Sequence, residues 1–316
     1  MDAGTLTAGI VGRRFLLELA SRMCEGGADL SSTLAAAPAP THVRQLREAL
    51  YESFQTAIYW GPRDDRDELS DSPGLADAIS AYARRVEQTQ LLEAAFAVTG
   101  EQVQVTLSRP QEVSLGEQTL TAHEWRRQLI ESVDSFAAAR RGRVGSRVSR
   151  VPLSGAWWSA PVGLPQTSDV WLGGVPVQLF GVEDDRGHEL ARVTHIANLP
   201  GKILEISGPE VWVGLVREFP LDVTELMADT WGKAFPGRGV WHLPDWDAIS
   251  RRWDAVYLPL SGSLTTAGMA LPVGDQVWTV LAGFDAGTTF WLSNEPQSTG
   301  DSVLWRRPSD SAQWSE

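Results

Sequence analysis

The side chains best suited to chemistry gather in the second half of this sequence. Glu183, Asp184 and Asp185 end an apolar run and are followed by Arg186-Gly187. A carboxylate there could serve as a general base or a cation ligand, or the five residues could form a plain hairpin turn. Trp157 and Trp158 are adjacent within Ser154-Gly155-Ala156-Trp157-Trp158-Ser159-Ala160-Pro161. Neighbours on a strand point to opposite faces, so one indole would enter a core and the other would meet an interface or a flat ligand. A third group spans 245–266. It reads as a short helix with Trp246, Ile249 and Trp253, a strand holding Tyr257, and a hydroxyl-rich loop with Ser261, Ser263, Thr265 and Thr266.

Several standard chemistries have no support. GxGxxG after a strand, GxxxxGK[ST], GxSxG and HExxH are all absent. His188-Glu189 and His195 could approach one another on strands, but five histidines and one cysteine supply zinc poorly, and no metal site is expected. Cys24 is alone, so there is no intrachain disulfide framework.

The elements that must position these groups follow from periodicity. Val11, Phe15, Leu19 and Met23 recur at helical spacing, as do Val43, Leu46, Leu50, Phe54 and Ile58. Ser72-Pro73 opens a third helix whose stripe is Leu75, Ile79, Tyr82 and Val86. Alternation at Val103, Val105 and Leu107, then Val113 and Leu115, predicts a β-ribbon near 102–116. Thr121 and Glu124 form a capping box for a helix with Trp125, Leu129, Val133 and Phe136 on its apolar face. Strands are expected at 175–182, 190–197, 202–206, 255–260, 277–282 and 288–292. A helix capped by Ser207 carries Trp212. The fold class is α+β. A mainly helical domain spans 1–150, a tryptophan-rich α+β domain with a candidate cleft spans 151–295, and a polar, loose tail spans 296–316, docked at most by Trp305 and Trp314.

Composition narrows the partners. The net charge is −13, from 27 basic and 40 acidic side chains. Residues 1–150 carry 17 basic and 20 acidic, whereas 151–316 carry 10 and 20. An acidic second half repels nucleic-acid phosphate and anionic membrane. No window approaches the ~18 apolar residues of a membrane span. The run at 13–20, broken by Glu18, reads as an amphipathic helix rather than a signal peptide. A cytoplasmic protein is expected. Twelve of the 14 tryptophans follow residue 150, which marks an aromatic core, a surface for flat ligands, or both.

The order of Trp212, the 202–206 strand, the 245–253 helix and the Tyr257 strand resembles the RES-type branch of the ADP-ribosyltransferase-like superfamily, over about 151–293. That resemblance implies an NAD cleft walled by Tyr257 and Ser261, with Trp158 or Ser159 where the superfamily carries Arg or His. The sequence departs from the pattern in having no Arg on that first strand and no Glu-x-Glu, which leaves Glu183 as the spare carboxylate. The expected catalytic residues are therefore Glu183 and Tyr257, and the expected NAD-binding residues Trp157, Trp158, Ser159 and Ser261. NAD-dependent ADP-ribosyl transfer or NAD glycohydrolysis would follow. The alternative is a non-catalytic interaction module whose aromatic, acidic surface holds a basic protein partner; carbohydrate binding is a weaker third.

Overall fold

In the computed structural model, residues 2–24, 29–55, 63–97, 100–108, 119–142, 157–183, 187–308 and 313–316 are described. Seven short helices lead the chain: α1 (Ala3–Ala8), α2 (Ile10–Met23), α3 (Leu30–Ala36), α4 (Val43–Phe54), α5 (Asp65–Ser70), α6 (Ala76–Glu87) and α7 (Gln90–Ala95). Their stripes are those expected from spacing. Val11, Phe15 and Leu19 are buried on α2, Leu46, Leu50 and Phe54 on α4, and Ile79, Tyr82 and Val86 on α6. Arg14, itself buried, is neutralised by Asp64 and Asp67 at the start of α5, so the helical layer carries its own internal ion pair. Ile58 and the second half of the ribbon expected near 102–116 lie outside the described residues.

β1 (Gln102–Ser108) and the long α8 (Ala122–Gly142) follow. Thr121 and Glu124 close the capping box as read: Thr121 N–H meets Glu124 Oε2 at 2.9 Å and Glu124 N–H meets Thr121 Oγ1 at 3.2 Å. The second half then adds β2 (Gln166–Trp171), β3 (Val175–Pro176), β4 (Leu190–Asn198), β5 (Ile203–Glu205), α9 (Pro209–Glu218), β6 (Pro220–Asp222), α10 (Thr224–Met227), α11 (Trp231–Ala234) and β7 (Val240–Pro244). After these come α12 (Trp246–Ile249), β8 (Ala255–Leu258), α13 (Leu260–Thr266), β9 (Ala270–Gly274), β10 (Val277–Val280), β11 (Thr288–Trp291) and β12 (Gln297–Arg306).

The strands form two sheets. The larger runs β12-β4-β1-β2-β11-β8-β5, with β3 paired to β2; the smaller runs β6-β7-β10-β9. β5 and β8 pair in parallel, as do β7 and β10, while the remaining ladders are antiparallel. This is an α+β protein, with helices leading and strands concentrated behind them. β1 comes from the stretch expected to form the helical domain, yet lies between β4 and β2. A single hydrophobic cluster joins the leading helices to the sheets.

Four local readings change. At 175–182 only Val175–Pro176 pairs as a strand; Val177–Leu179 is a tight helical turn, with the Phe180 and Gly181 N–H groups both donating to Val177 O. A short apolar run fits a buried turn as well as a buried strand. In the stretch 296–316 the described residues are not a loose tail. β12 pairs with β4, and Trp305 and Trp314 are buried. The cap residue of α9 is Gly208 instead of Ser207, with Pro209 in the first turn as expected. The hydroxyl-rich stretch after Tyr257 is α13 instead of a loop. There Thr265 Oγ1 donates back to Ser261 O at 3.0 Å, so the hydroxyl serves the helix backbone.

Candidate functional site

β1 and β2 pair over only two register positions, Gln102↔Asp169 and Val103↔Ser168. Beyond them β1 stays with β4 as far as Ser108, while β2 follows β11 back to Gln166. The sheet therefore opens like a V. In the V lies a cleft of about 570 Å³, between Gln104–Leu107 on one wall and Leu164–Gln166 on the other. Trp158, Gln178, His188 and Asp285 also line it.

Trp158 is held there by other tryptophans. Residues 157–159 form no strand. Instead Trp231 Nε1 donates to Trp157 O at 3.1 Å and Trp246 Nε1 donates to Ser159 O at 3.1 Å. Ser159 is sealed: its N–H donates to Ala282 O at 2.8 Å, and its Oγ accepts from Ala282 N–H at 2.8 Å. Trp157 is buried and meets Trp158 edge-on, with ring centroids 5.3 Å apart at 71°. The expectation that the two indoles point to opposite faces of a strand fails, because the segment is pinned as an irregular loop. Trp158, half-buried, crosses Gly283. A Cβ at Gly283 would stand 1.9 Å from Trp158 Cδ1, and φ there is +62°, so glycine fits for two separate reasons.

Beside this indole two carboxylates each accept from a backbone N–H, Asp285 from that of Glu183 and Glu183 from that of Gly283. Glu183 Oε2 accepts from Gly283 N–H at 2.7 Å, and Glu183 N–H donates to Asp285 Oδ1 at 3.0 Å. Glu183 is buried and Asp285 half-buried. Among the described residues no second hydrogen bond reaches Asp285, which is one of the residues lining the cleft. Loss of water on burial pushes its pKa up from 3.8 to about 7, with the Glu183 N–H opposing. Asp184 and Asp185 lie outside the described residues.

Tyr257 belongs elsewhere. Directly paired residues share a sheet face, so Gln102, Asp169, Thr167, Thr289 and Tyr257 form a polar file across four strands. Tyr257 donates to Asp169, and Gln102 Nε2 donates to Thr289 Oγ1 at 2.8 Å and to Asp169 Oδ1 at 3.4 Å. Thr167 donates to Gln102, and Trp291 Nε1 donates to Thr167 Oγ1 at 3.0 Å. Burial raises Asp169 to about 6, against the Tyr257 and Gln102 hydrogen bonds. Burial, then the Asp169 carboxylate, pushes the Tyr257 phenol well above its ordinary 10. Such a phenol is a hydrogen-bond donor and no base. Ser261, half-buried on α13, is not among the cleft-lining residues.

Of the residues singled out from sequence, the cleft thus receives Trp158 directly and Glu183 at one remove. Trp157 and Ser159 position Trp158, and Tyr257 sits in the file. His188 lines the cleft and gives its carbonyl to Arg307 Nε at 2.9 Å, while His195 lies on β4 with Nδ1 3.6 Å from Glu101. Among the described residues no group of three or more His, Cys, Asp or Glu is placed to hold a metal ion, and no helix is long and apolar enough to cross a membrane. Sequence reading missed Asp285 and Gln178. Asp285 had a signal: a lone carboxylate in Gly283-Phe284-Asp285-Ala286-Gly287, between two strands already expected. Gln178 had none, since it stood inside a supposed strand. Compared with known proteins, the chain matches no family model, no curated protein and no solved structure.

Proposed function

We propose that the protein binds a flat heteroaromatic ligand of the nicotinamide or nucleoside class in the V between β1 and β2, with NAD as the cofactor to be tried first. One observation carries this reading: Trp158, half-buried, and Asp285 line the same cleft. A pinned indole supplies a stacking wall worth about 1–3 kcal/mol in nucleobase cases, and the glutamines and threonines around it supply neutral donors and acceptors. The NAD chemistry implied by the ADP-ribosyltransferase-like resemblance would take place here, with Asp285 in the part first given to Glu183. The ribosyl C1′–N1 bond breaks, nicotinamide leaves with the bonding pair, and a carboxylate stabilises the cationic sugar carbon. Water, or the hydroxyl or amine of an acceptor, completes C1′ and gives up a proton.

The interaction-module reading has less support. Among the described residues the large apolar side chains that are exposed are Val162, Leu172 and Leu304, in separate parts of the chain. Part of the acidic surface is also already engaged, because Arg126 and Arg140 of α8 pair with Asp245 and Asp229 at 2.7 and 2.9 Å.

The test is a titration of the whole chain with NAD, following tryptophan fluorescence and released nicotinamide together. Trp158→Ala is expected to weaken binding by about 5- to 160-fold, the range that ~1–3 kcal/mol implies. No fluorescence change and no nicotinamide at millimolar NAD would overturn the proposal.

A further inference from the structure

We infer that the ring held in the cleft carries an exocyclic NH2 group, as a primary carboxamide or a ring amine, and that Gln178 is the residue that reads it. The inference rests on the reading of the cleft as a ring-binding site and goes further by fixing the chemistry of the ring's edge. NAD carries such a group at both ends, on the nicotinamide carboxamide and on the adenine.

Gln178 differs from the other neutral polar residues of the cleft. Gln104, Thr106 and Thr119 are exposed and Gln166 is half-buried, so water serves their amides and hydroxyls. Gln178 lines the same cleft and is only 3% exposed. Its Oε1 is shut off from solvent and has no hydrogen-bond partner among the described residues. Buried polar side-chain atoms are paired as a rule, and one that has lost water without a replacement is costly. A ligand N–H that displaces water from an exposed amide gains little. One that reaches an unpaired, buried oxygen meets no competitor.

The backbone at Gln178 is, by contrast, anchored. Its N–H donates to Ser168 Oγ of β2 at 2.9 Å. The turn it sits on is closed by the Phe180 and Gly181 N–H groups, which reach Val177 O at 2.9 and 2.7 Å. Gly181 O accepts from Ala286 N–H at 3.2 Å, which ties this turn to the segment carrying Asp285. Gly287, at φ +67°, allows the close approach, since a Cβ there would stand 2.7 Å from Val177 Cβ. The chain thus fixes where Gln178 stands and leaves its amide without a task. The last torsion of a glutamine is broad and roughly two-fold, so the amide turns either end to a partner at small cost. A primary carboxamide is its complement, with an N–H for Oε1 and a C=O for Nε2. The amino group and adjacent ring nitrogen of adenine make the same pair. A ring with a ketone or a carboxylate at that place supplies no N–H.

Two pairs of probes test this by calorimetric titration of the full chain. Nicotinamide is set against 3-acetylpyridine, which keeps the ring and the carbonyl but has no N–H. Adenosine is set against purine riboside, which lacks the amino group. In at least one pair the NH2-bearing ring is expected to bind about tenfold or more tighter, and the pair that discriminates names the end of NAD held at Gln178. Gln178→Met keeps the length of the side chain without the amide. It should bring the favoured ring down to the level of its counterpart and leave the counterpart unchanged. Because the amide makes no hydrogen bond with the described residues, the same variant should unfold at or above the temperature of the unaltered chain. Equal affinities within both pairs, or a preference that survives Gln178→Met, overturns the role of Gln178 and leaves the ring site standing. A variant that unfolds several degrees lower also overturns it, by showing that the amide already has a structural task. No binding by any of the four probes overturns the ring site itself.

Discussion

Asp169 and Asp285 are carboxyls perturbed in the same direction by the same cause, and they sit in opposite kinds of place. Asp169 lies on a strand with Tyr257 and Gln102 both donating to it, inside a file that continues through Thr289, Thr167 and Trp291. Asp285 lies between β10 and β11, tethered once, and lines a cleft. A raised pKa therefore does not by itself mark a ligand site. What separates the two is how many of the carboxyl's hydrogen bonds the protein has already supplied. A closed network fixes the sheet, and an open one leaves something for a ligand to complete.

The comparison can be broken at several points. The largest effect is expected where sheet and cleft share a support. Trp246 is fully buried and holds Ser159 O, so Trp246→Ala should lower unfolding free energy by about 3–5 kcal/mol in a denaturant titration. A loss below about 1 kcal/mol would mean that the tryptophans do not pin the segment. Next comes Tyr257→Phe, which leaves a buried Asp169 oxygen without its donor. It should lower stability by about 1–3 kcal/mol and leave NAD binding as it was. If it weakened binding as Trp158→Ala does, file and cleft would be one site.

A pH series sharpens the contrast further. Both folded-state pKa values lie above the unfolded one, so the folded protein holds these protons more tightly. Their contribution to stability is complete below about pH 4 and declines as pH rises through about 6 for Asp169 and about 7 for Asp285. Asp169→Asn should flatten the lower part of that decline, and Asp285→Asn the part reaching pH 7. Only the second should alter NAD binding. The smallest effect belongs to Arg126→Ala. It removes a half-exposed partner of Asp245, the α12 cap, and should lower stability by no more than about 1 kcal/mol, less in high salt.

Helices were legible in the sequence because their stripes obey local rules. Val11, Phe15 and Leu19, or Ile79, Tyr82 and Val86, need only a 3.6-residue period to be recognised, and Thr121 with Glu124 needs only a spacing of three. The strands around Tyr257 and Thr288 were legible for a similar reason. The site was not. Trp158 drew notice as a residue type, but its placement depends on indoles 73 and 88 positions away and on the missing Cβ of Gly283. Tyr257 was expected beside Trp158, but nothing local reveals that Asp169 pairs across from Gln102, receives the Tyr257 hydroxyl and lines with it a separate small pocket beside Trp171 and Leu260. The cleft itself arises where two strands stop pairing, which is a property of neighbours that alternation within either strand cannot express.

The position of β1 bears on how this chain can reach its fold. β4 and β2, its two neighbours, are separated from it by tens of residues, so the centre of the sheet forms only through long loop closures, which slows assembly. A chain lacking β1 but keeping β2 and β4 would hold two strand edges with unpaired N–H and C=O groups facing a gap. Such edges recruit other chains. A fragment beginning at residue 119 should therefore aggregate on refolding, and a peptide spanning 100–108 supplied in trans should suppress it by filling the missing rung.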